Sequence, residues 1–124
     1  MSTHSGHPGL EELRFYLPFS RLDDDQLVLI SAAITVEEKL AGRALFRSGD
    51  DDKLEYFLLS GSLNLTAKDG AIRKILAGEE LARHPIARLR PRQYTAIAAE
   101  PITYFCVDKR ILELIADQAA PAEN

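Results

Sequence analysis

The residues of this chain that could do chemistry are few and clustered. Within the ten residues 83–92 stand Arg83, Arg88, Arg90 and Arg92, with His84 and no acid, giving a local charge of +4 in a chain of formal charge −4. Arginine presents a planar fork of donors that matches phosphate or carboxylate, so the window is a candidate anion site. The competing account is a solvated loop in which Arg92 pairs with an acid such as Glu79 or Glu80. No catalytic or metal-ligating set accompanies these cations. His4 and His7 fall in a polar leader, and no strand pattern carries the converging His or carboxylate ligands a metal needs. Cys106, the single cysteine, sits in the alternation Tyr104-Phe105-Cys106-Val107 and is expected to be a packing thiol rather than a nucleophile. Asp50-Asp51-Asp52 lacks the alternating ligand positions and central glycine of a calcium loop and is expected to be a solvated turn. Nothing here supports an enzyme.

The elements that must position the arginines follow from periodicity. Residues 1–9 are expected to form a disordered leader, and residues 10–118 the folded domain. Leu10, Leu13, Leu17 and the pair Phe15-Tyr16 have roughly helical spacing up to Pro18. Asp23 to Asp25 supply an N-cap and first-turn acids to a second helix, with Leu27, Ile30 and Ala33 or Ile34 as its apolar stripe. From Thr35 the period shifts toward two, broken at Gly42, Gly49, Gly61, Asp69-Gly70 and Gly78. Strands are expected at 35–40, 43–47, 54–60, 62–67, 71–76, 94–99 and 102–107. After Asp108, residues Ile111, Leu112, Leu114 and Ile115 return to helical spacing. Ile111 with Leu114 or Ile115 is expected to pack inward and Leu112 to face a second chain. Residues 119–124 read as a tail or linker.

Length and composition agree with one soluble domain: 124 residues, 46% hydrophobic and 27% charged. One cysteine points to a reducing compartment, and no apolar run approaches the roughly 20 residues of a membrane span, so a cytoplasmic protein without membrane contact is expected. The acidic balance and the lack of a second, basic helix pair argue against direct DNA binding by this chain.

The order of these turns resembles the cyclic nucleotide-binding domain family. Pro18-Phe19 with Leu22 and Leu27 fits its opening helix, and Ala41-Gly42-Arg43 with Phe46-Arg47-Ser48-Gly49-Asp50 fits its first turn. Tyr56-Phe57-Leu58 with Gly61, Leu63 and Leu65 fits its hairpin. The resemblance spans roughly residues 18–116. It implies a mostly β fold, an antiparallel eight-stranded β-roll of cupin-like jelly-roll form with N-terminal helices and a C-terminal helix, although the periodicity alone yields seven strands.

It also implies a site. Gly78-Glu79-Glu80-Leu81-Ala82-Arg83 takes the place of the family's ribose-binding "G-x-x-F-G-E", and Pro91-Arg92-Gln93-Tyr94-Thr95 that of its phosphate-binding "P-R-x-A-T", with the usual nine-residue separation. Arg92 lands on the phosphate position, and Arg83 replaces the ribose glutamate. Ala82 replaces a glycine, and Tyr94 a small residue. The expected ligand-binding set is therefore Arg92, Arg83, Ala82, His84, Gln93, Tyr94 and Thr95, with no cofactor and a cyclic nucleotide or cyclic dinucleotide as ligand. Arg92→Ala is expected to abolish binding while leaving the ligand-free melting temperature within a few degrees. The implied function is a non-catalytic regulatory sensor with altered specificity, joined to a weak homodimer or a C-terminal output domain. The alternative is a degenerate β-roll that has lost ligand binding and serves dimerisation or protein interaction.

Overall fold

The computed structural model describes residues 6–119. Its elements are α1 (Leu10–Phe15), a 3₁₀ turn (Phe19–Arg21), α2 (Asp24–Ala33), β1 (Glu37–Lys39), β2 (Ala44–Phe46), β3 (Leu54–Ser60), β4 (Ser62–Ala67), β5 (Ile72–Leu76), a second 3₁₀ turn (Glu80–Arg83), β6 (Tyr94–Ala98), β7 (Ile102–Asp108) and α3 (Lys109–Ala119). The strands form two antiparallel sheets, ordered β1-β7-β3 and β2-β6-β4-β5. Among the described residues all seven strands inferred from periodicity are present, and the eighth implied by the resemblance is not. The nearest thing to another rung is a two-bond bridge, Gly49 N–H to the Arg92 carbonyl (2.8 Å) and Arg92 N–H to the Asp50 carbonyl (2.7 Å). Pro91, which has no N–H, cannot extend it.

Strands β3 and β7 divide the core. They pair with Phe57 opposite Phe105, whose rings stack 4.9 Å apart. One face, carrying Phe57, Phe105 and Val107, packs against Leu13, Tyr16, Phe19 and Leu27 of the N-terminal helical segment and Leu112 and Ile115 of α3. The other face, carrying Leu58 and Tyr104, packs inside the roll with Phe46, Leu63, Leu65, Ile75 and Ala96. Because both faces are covered, Phe57 and Leu58 are adjacent and both fully buried. Tyr16 bridges the layers, donating its hydroxyl to the Leu58 carbonyl at 2.5 Å, and burial raises its phenol to about 12.

Asp23 caps α2 in a reciprocal box: its carboxylate accepts from Gln26 N–H (2.8 Å), and Gln26 accepts from Asp23 N–H (3.0 Å). The inward stripe of α2 closes with Ile34 rather than Ala33. Residues 6–9, grouped above with the leader, make specific contacts: His7 Nδ1 lies 2.8 Å from the Ile34 carbonyl, Ser31 Oγ donates to the Pro8 carbonyl (2.6 Å), and Val36 N–H donates to that of Gly6 (2.8 Å). His4 and residues 120–124 lie outside the described residues.

The tightest turn is at Gly61, between β3 and β4, with φ +88°. A Cβ there would stand 2.7 Å from the Pro101 carbonyl oxygen and 2.8 Å from Ile102 Cγ2. Left-handed backbone costs a non-glycine residue roughly 1–2 kcal/mol, and forced overpacking adds about 1–3 kcal/mol. Gly61→Ala is therefore expected to destabilise the domain by about 2–5 kcal/mol in denaturant titration, whereas Gly42→Ala, with open space around its Cβ, should incur only the backbone cost.

The orientation of α3 corrects the expectation from spacing. Leu112 and Ile115 are buried, at 5% and 4% exposure, while Ile111 and Leu114 face out at 47% and 59%. Both pairs are three residues apart, so either makes an acceptable helix stripe. The start of the helix selects between them: Lys109 N–H donates to the Lys53 carbonyl (2.8 Å) and Arg110 N–H to Asp108 Oδ1 (2.8 Å), which fixes its rotation.

Candidate functional site

Gly78, at φ +89°, turns the chain out of β5, and Glu79 secures the turn by accepting from Leu76 N–H (2.8 Å). The second 3₁₀ turn follows, with Ala82 fully buried against the roll interior. Arg83 points toward α1: its Nε donates to the Phe15 carbonyl (2.8 Å), its Nη1 lies 3.6 Å from Glu80, and its guanidinium sits over the Phe15 ring at 5.5 Å. His84 lies 3.8 Å from the same Glu80. Ile86 N–H then bonds the Tyr56 carbonyl (3.0 Å) and pins the loop to β3.

The second half of the loop carries Arg88, Arg90 and Arg92 onto the residues leading into β3. Arg90 donates to the carbonyls of Asp52 (2.8 Å), Arg88 (2.6 Å) and Leu54 (2.6 Å), and its Nη2 lies 3.4 Å from Glu55. Arg92 is 1% exposed. Its Nε and Nη2 fork onto the two oxygens of Asp52, at 3.0 and 2.7 Å. Nη2 also donates to the Leu54 carbonyl (2.6 Å), and Nη1 donates to those of Ile86 (3.3 Å) and Ala87 (3.0 Å). All five guanidinium N–H donors are thus engaged, and the Phe46 ring lies 3.9 Å below. The hydrogen bond from Arg92 holds the Asp52 carboxyl below its ordinary value, with smaller help from the Leu54 amide and Arg90.

These contacts correct two sequence expectations. Asp52 is not part of a solvated turn, and the acid paired with Arg92 is neither Glu79 nor Glu80. Sequence reasoning missed Asp52 and also Glu55, a glutamate buried to 1% exposure. The available signal was an acid just ahead of a strand whose far neighbour is the arginine loop. The remaining residues line the loop's end. Gln93 donates to the Pro91 carbonyl (3.0 Å), Thr95 Oγ1 accepts from Ser48 N–H (3.0 Å), and Tyr94 is half-buried beside a cleft of about 50 Å³ shared with Ala87, Arg88, Leu89 and Gln93. Among the described residues, Ser48 Oγ is buried without a hydrogen-bond partner. Cys106 lies within β7, and burial, with Glu37 and Asp52 nearby, raises its thiol, which disfavours the reactive thiolate.

Two antiparallel sheets flanked by helices, with a loop that delivers a buried arginine to the roll, make up a β-roll domain. The family model of the cyclic nucleotide-binding domain matches residues 36–118, and the chain belongs to that family. It is 26% identical to the regulatory domain of Toxoplasma gondii PKA, solved with cAMP, at a TM-score of 0.69 over 89% of this chain and 44% of that one. The sensor domain of the transcriptional regulator DNR from Pseudomonas aeruginosa shares the fold at a TM-score of 0.70 and 18% identity, over 89% and 81% of the two chains. A cGMP-dependent protein kinase of Eimeria tenella is 25% identical over 97 residues, 78% of this chain, which spans 10% of that kinase's length.

Proposed function

We propose that this chain is a non-catalytic, ligand-sensing regulatory domain that receives a phosphate-bearing nucleotide at the arginine loop, with a specificity moved away from cyclic AMP. The observation that carries this reading is the forked Asp52 carboxylate on buried Arg92. Carboxylate and phosphate satisfy a guanidinium fork by the same two-point geometry. A ligand phosphate can therefore take the place of Asp52, but it must compete with it. A ligand with more negative charge, such as a cyclic dinucleotide, competes better than a monoanionic cyclic nucleotide. Arg83, turned to Phe15, offers no carboxylate to a ribose hydroxyl, and the half-buried Tyr94 ring narrows the approach. Gln93 and Thr95 flank the arginine, with the Ser48 hydroxyl, unpartnered among the described residues, beside Thr95 as a further polar contact, whereas Ala82 is fully buried and His84 sits against Glu80.

Among the described residues no helix is long and apolar enough to cross a membrane, which is compatible with a cytoplasmic setting. The outward pair Ile111 and Leu114 on α3 provides the surface for a weak homodimer or a C-terminal output domain.

Calorimetric titration with cyclic AMP, cyclic GMP, cyclic di-GMP and inorganic phosphate tests the proposal in the wild type and in Asp52→Asn. Asp52→Asn removes the competing charge while keeping the shape. Its affinity for each binding anion should rise about tenfold, the lower worth of a hydrogen bond to a charged group, and cyclic di-GMP should bind the wild type more tightly than cyclic AMP. Absence of binding by all four in both proteins would overturn the proposal and leave an interaction module.

A further inference from the structure

A second concave site lies outside the roll. The first 3₁₀ turn, the arginine loop and α3 enclose a groove of about 210 Å³, walled by Leu17, Pro18, Pro85, Leu112 and Ala116. This is below the roughly 300–1,000 Å³ of pockets for drug-sized molecules, so it suits a smaller ligand. Three cations border it: Arg21, Arg88 and Lys109. Arg21 and Lys109 form no ion pair among the described residues, and the nearest acid to Arg88 is Glu55, at 3.9 Å. Two carboxylates also line the groove, Glu55 and Glu113. Glu55 is buried to 1% exposure on the floor and held by Arg90 at 3.4 Å, which offsets its charge, whereas Glu113 faces water. His84, at the edge, lies against Glu80. The cations therefore outnumber the uncompensated acids, on walls that are otherwise apolar.

We infer that this groove is a binding site for a small organic oxyanion, a carboxylate or phosphate monoester on a short apolar body. Its charged end is held by Arg21, Arg88 and Lys109, and its body lies against Leu17, Pro18 and Leu112. These residues come from three separate elements. Lys109, Leu112 and Ala116 belong to α3, which buries only Leu112 and Ile115 as large apolar contacts. An occupant that bridges Arg21 and Lys109 therefore ties α3 to the N-terminal segment. The site is independent of the Asp52–Arg92 fork, since its anion handles Arg21 and Lys109 take no part in that pair.

The test is two-dimensional NMR titration of the full chain with phenyl phosphate and with benzoate, using inorganic phosphate and phenol as single-feature controls. Saturable shifts are expected at residues 17–21, 109 and 112–116, with phenol and inorganic phosphate each weaker than the combined probe. The relative affinity of phenyl phosphate and benzoate identifies the preferred head group. Arg21→Gln with Lys109→Gln should weaken the better probe about tenfold or more, the effect of losing a hydrogen bond to a charged group. Ala116→Phe, which fills the groove from an exposed helix position and leaves every charge in place, should abolish binding. Hydrogen exchange in α3 should slow on saturation of the wild type and remain unchanged in Ala116→Phe. Shifts confined to residues 92–95, affinities unaltered by both variants, or no saturation with either probe would each overturn the site. The cyclic nucleotide titrations are a separate readout, so failure here leaves the Arg92 proposal standing, and the reverse also holds.

Discussion

Arg92→Ala is expected to lower the melting temperature of the ligand-free domain by about 10–20 °C, since removing one partner of a buried ion pair costs roughly 3–5 kcal/mol and each kcal/mol shifts a domain of this size by several degrees. The sequence alone suggests a shift of only a few degrees, because there Arg92 is either a ligand residue or paired on a solvated loop. Its burial, with five donors spent on Asp52 and the carbonyls of Leu54, Ile86 and Ala87, makes it the fastener between the arginine loop and β3. Its loss leaves the Ile86 and Ala87 carbonyls without their donor, while that of Leu54 keeps Arg90. Arg92→Lys should rescue little, because an ammonium can neither fork onto Asp52 nor lie flat on Phe46. Asp52 sets the pH dependence of the same contact. Its native value is depressed, so the stabilisation is fully present above the unfolded value near about 4 and is lost as pH falls through the lower native value. Acid titration of the wild type should show this loss, and Asp52→Asn should not. A melting temperature for Arg92→Ala within about three degrees of wild type, on a scale where one kcal/mol moves it several degrees, would show that the loop holds without the pair.

Leu112→Asp is the second large effect. The side chain is buried in the cluster containing Phe57, Phe105 and Ile115, where an unpaired carboxylate and the lost apolar contact together cost several kcal/mol. Hydrogen exchange should show α3 released from the roll, and melting should fall accordingly. Leu114→Asp, two residues further on and 59% exposed, should change monomer stability by no more than about 0.5 kcal/mol. Sedimentation across a concentration series then separates surface from core: self-association through Ile111 and Leu114 is lost in Leu114→Asp while the fold survives. Monomeric wild type at every concentration would remove the dimer and leave that face to an output domain.

Period-two alternation and glycine-bearing turns made the seven strands legible from sequence alone, because each strand's pattern is local and the turns at Gly42, Gly49, Gly61, Gly70 and Gly78 need backbone that glycine supplies. The cap of α2 was equally legible, since Asp23 and Gln26 meet three residues apart within one turn. The arginine cluster was visible as charge. What each arginine does was decided only by tertiary structure. Asp52 is 40 residues from Arg92 in the chain, and no local pattern distinguishes it from Asp50 or Asp51. The bridge between residues 49–50 and 92, with the Arg90 contacts to the Asp52 and Leu54 carbonyls, brings the acid and the arginine together. The same holds for Arg83, whose partner is the carbonyl of Phe15, and for Glu55, whose burial depends on the loop folded over it. The rotation of α3 belongs here too. Leu112 and Ile111 fit a helical stripe equally well in sequence, and the difference between core and surface was made by where the preceding strand delivers the first turn.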